Sequence, residues 1–436
     1  MYFSRHNIFS KLKDSDNYFI VNLLTGSADI LAPEKAAEIK RGEYSDIEEY
    51  KNKGYLAEED SEKKLFNSRY LDFIRNREND EMQLFFVPWY ECNFKCSYCY
   101  QSEYSNESVQ LQKPVIDAFF AHISEAFRDK RKYITIFGGE PLLSGSIQKE
   151  MITYLISEAA KRNIDLAIVT NGYNITGYSE VLAKAPLREI QITLDGTREI
   201  HDKRRALKNG GGTFDKIAEG IDFCLSKKIP VNLRVVIDSE NINNLVELSG
   251  FAARKGWTDS PFFKTQLGRN YELHSCGSHK PALFDRAKMY EELYELLKIH
   301  PDILKFHKPA FSVSKFLSEN GELPSPLFDS CPGCKTEWAF DYTGSIYPCT
   351  ATVGKTGEKI GSFYPKTSLD EGRIEAWQDR DVTSIEKCGD CPLQLACGGG
   401  CGSVARNNTG KLLSPDCRPV DKLLELGLSA YFGEKI

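Results

Sequence analysis

The rhythm of hydrophobic and polar positions changes twice along the chain. Near the N-terminus, Tyr18-Phe19-Ile20-Val21-Asn22-Leu23-Leu24 predicts a strand, Thr25-Gly26 a turn, and residues 27–31 its hairpin partner. Pro33-Glu34-Lys35-Ala36-Ala37-Glu38-Ile39 opens a helix with proline in its first turn. A second short helix is expected over 46–53, Gly54-Tyr55-Leu56 closes the unit, and the charged stretch 61–80 reads as a bridging helix. From residue 81 strands and helices alternate. Apolar, β-rich runs stand at 84–88, 133–137, 166–170, 190–194, 231–237 and 262–267, with helical stretches between them. The clearest helix covers 114–129, where Val115, Ile116, Phe119, Phe120, Ile123 and Phe127 recur at helical spacing. Six such repeats predict an α/β domain, a parallel sheet curled into a partial (β/α)6 barrel. Residues 280–310 read as helical. From 311 onward Gly, Pro and Cys dominate, periodicity fades, and the apolar runs are too few for a self-sufficient core, so metal is expected to hold this segment together. The chain is thus read as 1–80, 81–310 and 311–436.

Composition narrows the function. Across 436 residues, 41% are hydrophobic and 27% charged, and the formal net charge is −6. That balance argues against a basic face for nucleic acid. No apolar run reaches the ~18–20 residues that span a bilayer. The N-terminal stretch has no apolar signal core, so a cytoplasmic protein is expected. Thirteen cysteines in such a chain point to metal or chemistry rather than disulfides. Cys92, Cys96 and Cys99 form one cluster; Cys331, Cys334, Cys349, Cys388, Cys391, Cys397, Cys401 and Cys417 form another; Cys224 and Cys276 stand apart. Cys224 lies in a helical stretch and reads as core, while Cys276, near His274 and His279, is unassigned.

Polar and glycine residues gather just after the predicted strands: 91–99, Gly138-Gly139-Glu140, Asn171-Gly172 and Asp195-Gly196. Barrel folds of this type carry their sites at the C-terminal ends of the strands. Three thiolates on one loop, Cys92-x3-Cys96-x2-Cys99, leave one metal position open, as chemistry requires. A zinc knuckle completed by a distant ligand is the alternative from spacing alone. The loop resembles that of the radical S-adenosylmethionine (radical SAM) enzymes, in which C-x3-C-x2-C holds a [4Fe–4S] cluster and SAM chelates the open iron. The resemblance continues in order. Tyr98 precedes the last cysteine and is implied to lie near the adenine. Gly138-Gly139-Glu140-Pro141 matches the GGEP motif, with the glycines letting backbone approach the cofactor and Glu140 accepting from the SAM ammonium. Asn171 and Asp195 follow the third and fourth strands. His201-Asp202-x2-Arg205 is similar to HDxxR, whose arginine pairs with the SAM carboxylate; spacing selects Arg205 over Arg204. His201 itself reads as a local hydrogen-bonding residue, and Val235-Val236-Ile237 as a strand that walls the adenine or simply belongs to the core. The implied chemistry is reductive cleavage of SAM to a 5′-deoxyadenosyl radical that abstracts hydrogen from substrate, in a TIM-like partial barrel that shields it.

The C-terminal pattern, Cys334-x9-Gly344-x4-Cys349 followed by Cys388-x2-Cys391-x5-Cys397-x3-Cys401 and Cys417, resembles the SPASM extension of these enzymes. The resemblance implies two auxiliary [4Fe–4S] clusters, one on Cys331, Cys334, Cys349 and Cys401, the other on Cys388, Cys391, Cys397 and Cys417. Two zinc-ribbon sites are the alternative for the same eight thiolates. With the first cluster this makes three.

Two branches of SPASM enzymes compete. One cross-links ribosomally made precursor peptides, with a thioether ranked ahead of a carbon–carbon bond. The other oxidises a sulfatase Cys or Ser to formylglycine. The second begins almost at the cluster loop and places an aspartate where this chain has Thr350, so both departures favour the peptide branch. The N-terminal unit resembles the winged-helix-like element that captures a leader peptide as an added strand, with residues 18–24 as the expected edge. Expected partners are a precursor peptide with its leader and a low-potential electron donor such as flavodoxin or ferredoxin, with neither nucleic acid nor membrane. A non-enzymatic iron–sulfur or zinc scaffold would require the GGEP and HDxxR matches to be accidental.

Overall fold

The computed structural model describes residues 1–99, 101, 110–269 and 283–433; Cys276, His274 and His279 lie outside them. The strands are β1 (Tyr2–Phe3), β2 (Asn7–Lys11), β3 (Tyr18–Asn22), β4 (Ser27–Leu31), β5 (Leu56–Ala57), β6 (Met82–Val87), β7 (Lys132–Ile136), β8 (Asp165–Thr170), β9 (Leu187–Thr193), β10 (Val231–Ile237), β11 (Phe263–Arg269), β12 (Glu337–Asp341), β13 (Ser345–Tyr347), β14 (Gly361–Ser362) and β15 (Ser368–Leu369). All six predicted barrel strands are present, paired in parallel in the order β11-β10-β9-β8-β7-β6.

Alternation along each strand explains why the sheet curls around a lumen. Leu84 and Phe86 of β6 point outward into the core, with the Phe86 ring 4.6 Å from that of Phe119, inclined at 45°, on the helix Lys113–Ala126. Gln83 and Phe85 face inward, onto a cavity of 840 Å³ that all six strands wall. Ile134 and Ile136 point out on β7 while Tyr133 and Thr135 point in. Burial on the helix side is what orients each strand, and polar residues are left for the lumen.

The cysteine-rich segment continues this sheet. β12 lies parallel to β6 on its free side, Glu337 opposite Gln83 and Asp341 opposite Val87, and antiparallel β13, β14 and β15 follow. Its apolar residues therefore join the barrel core: Phe340 sits 5.2 Å from Phe119 and 5.7 Å from Phe363.

The N-terminal unit departs from the expected hairpin. β2 adds a third strand, so the antiparallel order is β2-β3-β4 and Tyr18–Asn22 is central, paired on both sides. The expected edge at residues 18–24 is thus filled. β2 is covered by the C-terminal helix Val420–Phe432, whose Glu425 accepts from Ser10 and from the Lys13 N–H. β4 is the open edge among the described residues, and its Ile30 is 46% exposed. The bridging helix spans Glu59–Asn79, and Phe66, Tyr70 and Phe73 surround Phe328. Phe19, Val21 and Leu23 share that same core with Val382 and Leu424. No helix among the described residues is long and apolar enough to cross a membrane.

Candidate functional site

The loops after β6, β7, β8 and β9 and the end of β10 converge at one end of the barrel. The cluster loop is held on two sides. Phe94 bridges Leu207, the Lys95 N–H donates to the Ala206 carbonyl at 2.9 Å, and the Ser97 N–H to that of Arg204 at 3.0 Å. Sequence-distant Cys92–Cys99 and His201–Arg205 are thereby zipped together. On the other side, Gly139 and Glu140 donate backbone N–H groups to the carbonyls of Trp89 (3.1 Å) and Glu91 (2.8 Å).

That second contact explains the glycine pair. A Cβ on Gly139 would stand 2.1 Å from the Glu91 carbonyl oxygen and 2.4 Å from that of Tyr90, and one on Gly138, at φ 149°, would meet the Trp89 carbonyl at 2.7 Å. What approaches the glycines closely here is the backbone of the cluster loop, a role the motif reading had given to the cofactor alone. Backbone cannot swing aside as a flexible side chain can. Gly139→Ala is therefore expected to displace the cluster loop and cost about four irons per chain, one cubane. Iron content checks this beside a far-UV spectrum unchanged from wild type; full iron retention would reject it.

Glu140 is wholly buried and binds three donors of its own chain: the Leu142 N–H at 2.8 Å and Thr170 Oγ1 at 2.6 Å on Oε1, and the Asn171 N–H at 2.6 Å on Oε2. Burial raises its pKa, and these donors oppose the shift. The carboxylate ties the ends of β7 and β8 together, and Oε2 keeps acceptor capacity beyond its one donor. Asn171 extends the link by donating from Nδ2 to Asn93 Oδ1 at 2.7 Å.

Asp195, after β9, organises the other half. Its Oδ1 accepts from the Val236 N–H at 2.9 Å and its Oδ2 from the Tyr98 hydroxyl. The buried Tyr98 hydroxyl in turn accepts from Arg205 Nη1 at 2.7 Å. The two adjacent arginines differ sharply. Arg204 places Nη1 2.9 Å from both oxygens of Asp238 and its Nε 3.6 Å from Asp195, so although burial opposes its charge, Asp195 and Asp238 outweigh that and raise its pKa. Arg205 makes one side-chain hydrogen bond, to Tyr98; the buried Nε of each arginine lacks a hydrogen-bond acceptor, but that of Arg204 faces Asp195 at 3.6 Å, whereas no carboxylate among the described residues lies within ion-pair reach of Arg205. An orphaned guanidinium N–H beside the cluster loop is what a carboxylate ligand would satisfy. His201 is fully buried, its Nδ1 3.1 Å from the Asp195 N–H and its Nε2 3.1 Å from Thr213 Oγ1, with its pKa lowered by burial. Both ring nitrogens are thus engaged within the loop that carries it.

The thiols fall into sets. Burial raises Cys92 to about 12, and Glu140, Cys96 and Cys99 add to the shift. Cys349 is raised by burial and by Glu337, Cys331 and Cys401, and Cys334 by burial and Cys331. Cys388 rises to about 11 through burial and then Cys397, Cys391 and Cys417. The mutual influences thus separate Cys331, Cys334, Cys349 and Cys401 from Cys388, Cys391, Cys397 and Cys417. Among the described residues no three His, Cys, Asp or Glu side chains converge on one ion. A cubane asks less of its ligands, because each thiolate binds a different iron. The buried cation Arg380, which sequence reasoning missed, braces this region: it donates to the carbonyls of Gly399 (2.7 Å), Gly400 (3.0 Å), Leu412 (2.9 Å) and Ser414 (3.0 Å). Cys224 is buried in the helix Phe214–Ser226 and is core. Thr350 donates its N–H (2.6 Å) and hydroxyl (2.8 Å) to Glu337 Oε1, so the hydroxyl is engaged as a donor.

Comparison with known proteins agrees with this geometry. Residues 86–252 match the family model described as the Radical SAM superfamily. A cysteine-type anaerobic sulfatase-maturating enzyme of Clostridium novyi is 26% identical over 342 residues, covering 71% of this chain and 84% of its own. Among solved structures, anSMEcpe with bound AdoMet and Cp18Cys peptide is similar at a TM-score of 0.61 and 19% identity, covering 80% of this chain and 97% of its own. Streptococcus suis SuiB bound to precursor peptide SuiA is similar at a TM-score of 0.53 and 15% identity, covering 96% of this chain and 99% of its own.

Proposed function

We propose, on the premise that this enzyme carries a radical SAM domain with a SPASM-like cysteine-rich region, that it is a maturase of a ribosomally made precursor peptide. The observation that carries this reading is the N-terminal unit: the fold likeness to SuiB takes in 96% of the chain, against 80% for anSMEcpe. Thr350 supports it, since an aliphatic hydroxyl is a far weaker base than the carboxylate the formylglycine branch places there. The product we assign first is a thioether cross-link and second a carbon–carbon one. The 26% identity to a sulfatase-maturating enzyme favours formylglycine formation as the second reading.

In this reading residues 1–80 hold the leader, 81–310 form the radical SAM barrel and 311–436 the auxiliary-cluster region. Cys92, Cys96 and Cys99 bind a cluster with an open iron, and the two C-terminal thiol sets bind one [4Fe–4S] cluster each. When bound, the cluster and SAM supply a 5′-deoxyadenosyl radical. The chain's residues position and shield it. Arg205 would offer its N–H groups to the SAM carboxylate, Oε2 of Glu140 would accept from the ammonium, Tyr98 and Asp195 would border the adenine, and Gly138, Gly139 and Asn171 would fix the loops between them. A flavodoxin or ferredoxin delivers the electron. Mass spectrometry of the precursor after turnover, with and without a hydrazine probe, separates the readings: a cross-link removes two hydrogens and leaves nothing for the probe to label, whereas formylglycine, which is also two hydrogens lighter when it comes from serine, carries an aldehyde that the probe labels.

The open edge of β4 is the place we assign to the leader. Removing residues 1–80 would strip Phe19, Val21 and Leu23 from a core shared with Val382 and Leu424, so a point change is the better probe. Ile30→Asp is expected to weaken precursor binding about tenfold, by losing roughly 1.5 kcal/mol or more of apolar burial, while SAM cleavage without peptide stays at the wild-type rate. Amide exchange over Ser27–Leu31 should slow when precursor is added. Unchanged exchange there would reject this edge.

A further inference from the structure

The lumen cavity beneath the SAM-side loops is bordered by Arg188, Glu189, Arg234 and Lys264, and roofed by Thr350, Ala351 and Cys401. Three of its charged groups are already balanced. Arg188 binds Glu81 through two nitrogens at 2.6 and 3.0 Å and reaches Asp165 at 3.3 Å. Lys264 binds Glu189 at 2.5 Å. Arg234 differs. Its Nε is buried with no acceptor, and no carboxylate among the described residues lies within ion-pair reach of it.

The fold makes room for this guanidinium. Gly268 on neighbouring β11 lies beside it, and a Cβ there would stand 3.2 Å from Arg234 Nε. Arg234 is two residues before Val236, whose N–H binds Asp195, so it occupies the inward-facing layer about 7 Å below the SAM-side residues. Arg234 is half-buried, and a buried Nε–H left without an acceptor costs free energy that a bound anion returns. A single planar guanidinium matches a carboxylate, to which it can bind through two parallel N–H groups. A phosphate dianion would call for further free donors, and the cavity's other cations are engaged.

We propose that Arg234 is a specificity-determining residue that receives a carboxylate of the peptide substrate in the barrel lumen. The inference rests on the peptide-maturase reading and names the substrate chemistry of that same site. The carboxylate comes from an Asp or Glu side chain or from a peptide C-terminus, and three probes distinguish them: N-acetyl-Gly-Asp-Gly-amide, N-acetyl-Gly-Asn-Gly-amide and N-acetyl-Gly-Gly-Gly as the free acid. Each is titrated by ligand-observed NMR into the full-length, anaerobically prepared protein with its clusters loaded.

Wild type is expected to bind the Asp peptide about tenfold more tightly than the Asn peptide. Arg234→Gln should abolish that preference, and Arg234→Lys, which keeps the charge without the planar fork, should retain part of it. Lys264→Gln should keep it, because Lys264 is already paired. Preference for the free-acid peptide would assign the carboxylate to a chain end. Equal binding of all three probes, binding of none, or an undiminished preference in Arg234→Gln overturns the proposal. Should Arg234→Gln not fold, an undiminished preference in Arg234→Lys together with its loss in Lys264→Gln does the same. SAM cleavage by wild type, measured in parallel, separates the two levels: its absence defeats the maturase reading, whereas cleavage without discrimination defeats only the role of Arg234.

Discussion

The triple variant Cys92→Ala, Cys96→Ala, Cys99→Ala is expected to retain about eight of about twelve irons per chain, one cubane of three being lost, and to lose SAM cleavage completely. The reason is the separation of thiol sets. Cys92 feels Cys96 and Cys99, Cys349 feels Cys331 and Cys401, and Cys388 and Cys417 both feel Cys391 and Cys397, so the thiols named beside each of these cysteines belong to its own set. Paired substitutions test that grouping directly. Cys349→Ala with Cys401→Ala removes two ligands of one set and should cost about four irons; Cys401→Ala with Cys417→Ala removes one from each and should cost about eight. Equal losses from the two pairs would dissolve the crossed grouping. Stoichiometric zinc in anaerobically prepared protein, or SAM cleavage by the triple variant, would overturn the iron–sulfur assignment itself.

The barrel was legible because its strands are buried on their outer face by helices, and each therefore carries its own apolar signature. Leu84-Phe85-Phe86-Val87 announces β6 without knowledge of any partner. The site was legible for a related reason: polar and glycine residues just past such runs have few roles other than turns and binding. Elements that depend on distant partners were not. β12 holds Glu337-Trp338-Ala339-Phe340-Asp341, which becomes a strand by lying against β6 some 250 residues away in sequence. β2 is short and mostly polar at its outer end, and missing it made central β3 look like an edge. The helix Val420–Phe432 does carry a periodic signal in Leu423, Leu424, Leu426 and Leu428, which the surrounding cysteines and prolines masked. Arg380 left no trace at all, because its partners are carbonyl groups, and a carbonyl has no residue type. Arg234 was hidden differently: an arginine within a strand reads as a solvated face until the topology turns that face into a lumen.

The two adjacent arginines should give opposite results when SAM affinity is measured. Spacing chose Arg205, and the geometry supplies a physical reason. Arg204 is committed to Asp238 and Asp195 and to the Val236 carbonyl at 3.2 Å, whereas Arg205 holds one hydrogen bond, to Tyr98, and among the described residues no carboxylate within ion-pair reach; a hydrogen-bond acceptor is missing at the Nε of both, but only that of Arg204 faces a carboxylate. A charge-assisted bond from Arg205 to the SAM carboxylate contributes roughly 1.5–3 kcal/mol, and each 1.4 kcal/mol is tenfold, so Arg205→Ala is expected to weaken SAM binding about ten- to a hundredfold. Binding should not vanish, since chelation by the open iron is untouched. Arg204→Ala removes the guanidinium that faces both oxygens of the buried Asp238, a loss of stability of about 3 kcal/mol. Its signature is therefore a lowered melting temperature with SAM affinity preserved in the fraction that folds. Arg205→Lys should restore only part of the affinity, because an ammonium cannot serve Tyr98 and a carboxylate with the same planar fork. His201→Ala should act on stability rather than affinity, as both its ring nitrogens are satisfied within the protein. Equilibrium SAM binding and thermal unfolding on the same cluster-loaded samples read both quantities. If Arg204→Ala loses affinity while Arg205→Ala binds as wild type, the roles are reversed; if neither substitution changes affinity, the carboxylate of SAM is held elsewhere and the HDxxR correspondence fails for this chain.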